Sequence, residues 1–525
     1  MMTCVFPPRR HAILGALLFS SLWVGCSGDN SPTDAGCTGA ACDAGTVDAG
    51  HIVPFDAGFM DAGLGPVLRL DQNPNNVLSA VGALESQLPV ASVHVAIQSP
   101  SGSSASTPEQ PVTGGNAVVP VLGLKPSTTY QMEAVVTLTD GGSATSPEVS
   151  FTTLALPDHV HQFHTVSIGE PGPGFNMVAR LPTTAAMGVD SLTITDSTGT
   201  PVWYLDTEPG LVGDFQKQPD HTYTVAVDDL AHAIQGLQDS VATYHQYDVL
   251  GNLLHTWTAP APSVATDCHD LRIQPNGDAL LFGMVTQTVD MRPYADGGQP
   301  DATVVGNILY RLAPDGGVRF SWNTFDHLSL HAIDPTVPRT GALVDAIHAN
   351  SIDVTADGNY LISLRDMSQV VKINAADGGV MWKLGGTNDD GTPAGDFTFV
   401  DDPLNGPSCQ HAARELPNGD IILFDDGNGH TPPNSRAAEY ALAFDPSTGA
   451  PTTATLVWSA GGAPTPLSSY ALGYAQRLDN GDTLITYGTN SRVQEVDADG
   501  NLVWELTDPM HGFGIYRTVR IDSLY

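Results

Sequence analysis

Six tryptophans each close a similar short phrase: Gly199-Thr200-Pro201-Val202-Trp203, Gly251 to Trp257, Asp315 to Trp322, Asp377-Gly378-Gly379-Val380-Met381-Trp382, Gly449 to Trp458 and Asp499-Gly500-Asn501-Leu502-Val503-Trp504. Internal repetition constrains a fold more than composition does, because each unit must bury its apolar face against its neighbours. The intervals between these tryptophans are 54, 65, 60, 76 and 46 residues. Such spacing suits four-stranded sheets with loops of variable length rather than helical solenoids. Each phrase reads as a turn followed by the outer strand of its unit.

A second phrase recurs inside the units. Asn276-Gly277-Asp278 sits between apolar alternations, and Asp357-Gly358-Asn359, Asn418-Gly419-Asp420 and Asn480-Gly481-Asp482 do the same. Asn-Gly or Asp-Gly so flanked is the strongest short hairpin signal, so these turns predict the innermost and second strands of successive sheets. The run Gly514–Ile521 follows the last tryptophan. It is expected to supply an innermost strand to the first unit, a closure that removes free sheet edges. The expected fold is all-β, with a six-bladed β-propeller over residues 156–525.

Residues 66–155 read as a small β-sandwich: Ser92-Val93-His94-Val95-Ala96-Ile97 and Gln131–Leu138 alternate with period two between Gly, Ser and Pro turns. Leu124-Lys125-Pro126-Ser127-Thr128-Thr129-Tyr130 resembles the tyrosine corner of fibronectin type III-like domains. No chemistry is evident there, so the sandwich is expected to serve as a spacer or as a homodimer surface.

The first 26 residues read as a signal peptide. Arg9, Arg10 and His11 precede an apolar run, Ala12–Gly25, shorter than the roughly 20 residues that span a bilayer. Leu22-Trp23-Val24-Gly25-Cys26 resembles a bacterial lipoprotein box, with Cys26 as the lipidated residue; ordinary cleavage nearby is the alternative. The expectation is an exported periplasmic or cell-envelope protein held to a membrane only through lipid. Residues 27–65, with five Asp-Ala-Gly triplets, bury too little to offset chain entropy and read as a tether. Cys37 and Cys42 within it could close a small loop.

Composition excludes one partner class. Lys and Arg number 20 against 57 Asp and Glu, a formal charge of -37 that repels phosphate backbones. Nucleic acid is therefore not expected. The acidic excess reads as a solvated surface.

Three histidines stand ahead of innermost strands: His269, His348 and His411 lie 8, 10 and 8 residues before their hairpin glycines. Even offsets put all three on one side of a period-two strand. Arg365 follows Gly358 by 7 residues, so the hairpin returns it to the level of His348. A single histidine is more often a hydrogen-bonded core residue, but three at matching positions point to a site. Three imidazoles could hold zinc, yet a permanent cation beside a divalent one is repulsive, whereas a guanidinium fork with imidazole donors suits a tetrahedral oxyanion. No metal and no cofactor is expected. Asp425-Asp426-Gly427-Asn428-Gly429-His430 has oxygens at calcium-like spacing, but one acidic loop is more often a solvated turn.

His269-Asp270, His348-x-Asn350-Ser351, Arg365 and Gln410-His411 together resemble the bacterial arylsulfate sulfotransferases, exported six-bladed propellers preceded by a small β-sandwich. Asp366 departs from the family, which has His after this Arg. The resemblance implies transfer of a sulfuryl group from a phenolic sulfate ester to a phenol, without a nucleotide donor. By it His411 is the nucleophile that becomes sulfated, with Arg365, His348 and His269 around the sulfuryl group. Asn350 is expected to bind substrate as an orienting hydrogen bonder. Cys268 and Cys409, close to His269 and His411, are either a disulfide or two separate buried thiols. A non-catalytic propeller that binds a ligand or cell-surface partner is the alternative from another class, and metal-dependent hydrolysis a third.

Overall fold

The computed structural model describes residues 65–182, 191–206, 212–228, 241–462, 464–509 and 513–525. The leader with Cys26, the tether and the Cys37–Cys42 pair lie outside the described residues. Strands dominate, and the one α-helix among the described residues is Thr324–His327.

Two sheets form between residues 67 and 152. Val67–Gln72, Ala80–Glu85 and Asn116–Val121 make one, and the other is built around Val90–Gln98 paired with Thr129–Leu138. Alternation sends Leu84, Val119 and Val121 of the first and Val93, Val95, Met132 and Val136 of the second into one shared core. The Tyr130 hydroxyl accepts the Lys125 N–H at 2.8 Å, the contact that the corner phrase predicts. Asn76 Nδ2 donates to the Tyr204 carbonyl at 2.8 Å, tying this part to the sheets that follow.

Six further antiparallel sheets follow. Their innermost strands are Val212–Lys217, Ala265–Ile273, Ala349–Val354, His411–Glu415, Tyr474–Arg477 and Phe513–Ile521. The last pairs with Phe175–Pro182, with Phe175 opposite Ile521 and Pro182 opposite Phe513. The C-terminal run thus completes the first sheet, as its position after the sixth tryptophan predicts. Each innermost strand neighbours the next, and Phe513–Ile521 neighbours both Tyr474–Arg477 and Val212–Lys217.

The tryptophan repeat has a physical cause. All six tryptophans fall on the fourth strand of their sheet. Four of them donate the indole N–H into the outer turn of the next sheet: Trp203 to Val249, Trp322 to Gly378, Trp458 to Ala498, and Trp504 back to Ser197 in the first. A buried indole needs an acceptor, and a turn carbonyl of the neighbour supplies it. In four of the six units the phrase latches one sheet to the next, while Trp257 donates to Gln246 within its own sheet.

Charge fills the space between the inner strands. Asp270, fully buried, accepts from Gln216 Nε2 at 2.6 Å, Ile352 N at 2.9 Å and Arg414 Nη2 at 2.8 Å, and lies 3.2 Å from Arg272 Nε and 3.6 Å from Arg517 Nη1. One carboxylate therefore ties together five of the six inner strands. Burial works to raise its pKa, but the Arg272, Arg414 and Arg517 guanidinium groups outweigh it and hold the carboxyl well below the usual range. Removing such a partner strands buried cations, so Asp270→Asn should cost about 3–5 kcal/mol of unfolding free energy in denaturant titration. A loss below about 0.5 kcal/mol, ordinary for a surface change, would contradict this role.

Candidate active site

Each of the three histidines sits where an inner strand leaves regular pairing. His269 lies within Ala265–Ile273, His348 immediately precedes Ala349–Val354, and His411 opens His411–Glu415. The hairpin registers shift between Thr266 and Leu271, between Ala349 and Ser351, and between His411 and Arg414. His348 and Ala412 have left-handed backbone, with φ of 52° and 56°. Bulges re-aim side chains, and they, rather than the unbroken alternation that even offsets assume, orient these rings. The expectation for Arg365 is met: its N–H donates to the His348 carbonyl at 3.0 Å.

The four side chains converge. The His269 and His348 rings are 4.7 Å apart at 66°. His411 is 4% exposed, and burial depresses its pKa well below the usual histidine value, reinforced by the positive charge of Arg365, His348, His269 and Arg517. His269 and His348 are the reverse case. Burial opposes their charge, but Asp267 Oδ1 at 2.6 Å from His269 Nδ1 pushes that ring up to about 10, and Asp345 Oδ2 at 2.7 Å from His348 Nδ1 raises the second. Arg365, opposed by burial yet held charged by Asp366, has Nη1 2.5 Å from Asp366 Oδ1 and donates from Nη2 to the Tyr470 carbonyl at 3.3 Å. Burial and positive neighbours thus lower the pKa of His411, while carboxylates raise those of the three groups around it.

Of the carboxylates that set these charges, only Asp366 was singled out from sequence, and there as a departure from the family rather than as a charge partner. Asp267, Asp345 and Asp366 lie within three residues of His269, His348 and Arg365 respectively, which is the signal that could have found them. Asp426 has Oδ2 2.8 Å from His411 Nδ1, and no spacing rule points to it. Asp267/Cys268/His269 and Asp345/His348/Asp366 each bring potential ligand atoms within 4.8 Å of one another. In both clusters a carboxylate already holds the histidine Nδ1, and Arg365 occupies Asp366. The calcium-like run is likewise committed: Asp425 accepts from Ser408 N and Gly427 N and pairs with His430 and Arg436.

Asn350, expected as an orienting hydrogen bonder, is 1% exposed, donates from Nδ2 to the Gln410 carbonyl at 2.8 Å and accepts from Ala412 N at 3.3 Å. It grips the backbone on both sides of His411 and acts as a positioning residue. Asn350→Ala should therefore lower kcat by about 10- to 100-fold through misplacement of that ring, with KM little changed, in steady-state kinetics. No disulfide joins Cys268 to Cys409. Their sulfurs turn to different neighbours, Cys268 to His269 Nδ1 at 3.9 Å and Cys409 to Thr336 Oγ1 at 3.4 Å, and burial pushes the Cys409 thiol up to about 12.

A cavity of about 990 Å³ opens at the hairpin end of the inner strands, where Lys217, Arg272, Arg477 and Arg520 line it. None of the four converging residues borders it. Its position marks the far mouth of the space between the sheets, with the Asp270 cluster reaching it through Arg272.

No curated protein matches this chain. Among solved structures it is similar to a protein of unknown function from Bacteroides caccae, at 15% identity and TM-score 0.40, over 67% of this chain and 100% of that one. It is also similar to a catalytically inactive virginiamycin B lyase from Staphylococcus aureus with quinupristin, at 10% identity and TM-score 0.34, over 69% and 100%. A streptogramin B lyase structure matches at 9% identity and TM-score 0.35, over 67% and 89%. Likenesses this low carry no argument. The sequence itself is decisive, since the arylsulfotransferase (ASST) family matches residues 232–509, a span that holds His269, His348, Arg365 and His411 and more than half of the chain. On that match, the chain belongs to the arylsulfotransferase family.

Proposed function

We propose that this protein moves a sulfuryl group from a phenolic sulfate ester to a phenolic acceptor by a ping-pong route through sulfated His411. The observation that carries the reading is the convergence of buried His411 with Arg365, His348 and His269, where burial and neighbouring positive charge lower the His411 pKa while carboxylates raise those of the other three. A neutral imidazole attacks the sulfur through Nε2, forming N–S as the ester S–O bond breaks. Arg365 and His269 balance charge on the sulfuryl oxygens. His348 gives its proton to the departing phenolate. An acceptor phenol then returns a proton to His348, attacks the sulfur, and N–S breaks. His348 suits the proton step better than His269, because it is the more exposed of the two rings, at 21% against 7%, and an acid held near 10 gives up its proton reluctantly.

The fold reading is that the six latched sheets are blades of a six-bladed β-propeller, supported by the inner-strand order and by the Trp504–Ser197 contact between the last sheet and the first. A fibronectin type III-like sandwich over 66–155 is supported by the Tyr130 corner. Export with lipidation at Cys26 is supported by the leader and its Gly25-Cys26 box.

A pH dependence follows. The rate needs neutral His411, whose pKa is depressed, and protonated His348, whose pKa is raised. The profile of kcat/KM should be flat through neutral pH, fall in acid only below the usual histidine range, and fall in alkali above it. A single limb centred near the reference histidine value of about 6.5 would contradict the assignment. The activity itself is tested with a chromogenic aryl sulfate, with and without an added phenol. Release that depends on the phenol supports transfer, and equal release without it indicates hydrolysis instead.

A further inference from the structure

We infer that Asp426 is the proton partner of His411, taking the Nδ1 proton as the ring is sulfated and returning it when the sulfuryl group leaves. The inference rests on the transfer reading above.

Asp426 is anomalous for a structural carboxylate. It is 1% exposed, and neither side-chain oxygen makes a hydrogen bond. Its Oδ2 is 2.8 Å from His411 Nδ1, but the approach is out of line, and His411 Nδ1 is likewise without a hydrogen bond. Arg365 Nε is 4.0 Å away. Neighbouring Asp425 shows what a structural carboxylate looks like here, with backbone N–H groups, His430 and Arg436 all bonded to it. Burying a carboxyl without such partners costs stability, so the position asks for a use.

The charges around the pair supply one. Asp426 faces Arg365 from the turn after Tyr360–Leu364, His411 from its own sheet, and Asp425 along the chain; His411 faces Arg365, His348, His269 and Arg517. Burial, with Asp425 adding to it and Arg365 opposing, raises the proton affinity of the carboxyl, while burial and the cations lower that of the ring. The two affinities, ordinarily separated by about 2.6 pKa units, are brought together. For Nε2 to attack, the one ring proton must sit on Nδ1, facing Asp426. As N–S forms, the ring gains positive charge and Nδ1–H becomes acidic. Starting from the ionised Asp426 carboxylate, the proton passes to Oδ2, leaving a neutral sulfated ring and a neutral carboxyl, and it returns to Nδ1 as the acceptor takes the sulfuryl group and the carboxylate re-forms. No further reactant is needed.

Asp426→Asn keeps the shape but cannot take the proton. In full-length protein it should slow the burst of phenol release from a chromogenic aryl sulfate by at least about tenfold and displace the acid limb of the pH profile, while the Tm stays the same or rises because an unsatisfied buried carboxyl is gone. A structural residue would do the opposite, with a lowered Tm and an unmoved acid limb, and that outcome overturns the inference. So does an Asp426→Asn burst as fast as wild type. Wild-type protein that shows no acceptor-dependent transfer would overturn the underlying reading, and the inference with it; the wild-type control separates the two failures.

Discussion

His411→Ala is expected to abolish phenol-dependent transfer, lowering kcat on the order of 10⁴-fold or more, because the residue supplies the nucleophile of both half-reactions and nothing else in the pocket can replace it. Arg365, His348 and His269 would still bind an anion, so the donor should bind to the variant with near-normal affinity by calorimetry while the variant fails to release phenol. Arg517 and Asp270 lie outside the change, and the inner strands keep their ties, so the fold should survive. Transfer within about tenfold of wild type would remove His411 from the chemistry.

Arg365→Gln is expected to cost about 10²- to 10³-fold in kcat, the usual penalty for losing one donor aimed at developing charge. The residue has a second job. Its Nη2 holds the Tyr470 carbonyl and its backbone holds that of His348, so part of the loss would come from placement. Arg365→Lys separates the two: it retains a cation but not the planar fork. If the fork matters, the lysine variant should remain impaired by tenfold or more on the same scale; if charge alone matters, it should recover most of the rate. Indifference to both substitutions would leave the anion pocket without its main donor.

Much of the architecture was legible because it is repetitive. The tryptophan phrase marked outer strands, since the latch to the next sheet demands an indole and a turn at a fixed place. The Asn-Gly and Asp-Gly turns marked the inner hairpins, since few dipeptides adopt that turn. The positions of His269, His348, Arg365 and His411 followed from counting back from those turns. The count worked for a partly different reason than the one assumed, because a bulge breaks the alternation at each histidine and orients its ring.

What sequence hid was the acid. A total of 57 acidic residues against 20 basic ones reads as solvated surface, and net charge cannot distinguish a turn aspartate from a buried one. Asp267, Asp270, Asp366, Asp425 and Asp426 are all buried, and Asp267, with Asp345 and Asp366, raises the proton affinity of His269 and His348. The partners of Asn350 were hidden for a related cause. An amide beside a candidate site suggests a ligand, yet its two polar ends are consumed by the backbone that flanks His411. Likewise, Cys268 and Cys409 stand next to converging histidines, but adjacency along the chain does not fix where a sulfur points.

The central claim is that sulfuryl transfer passes through one imidazole. Purified protein mixed with an aryl sulfate in the absence of any phenol should acquire one sulfuryl group, mapped to His411 by peptide mass spectrometry and discharged on addition of the acceptor. An unmodified His411 after phenol release, or a label that stays in place when acceptor is added, would contradict the account.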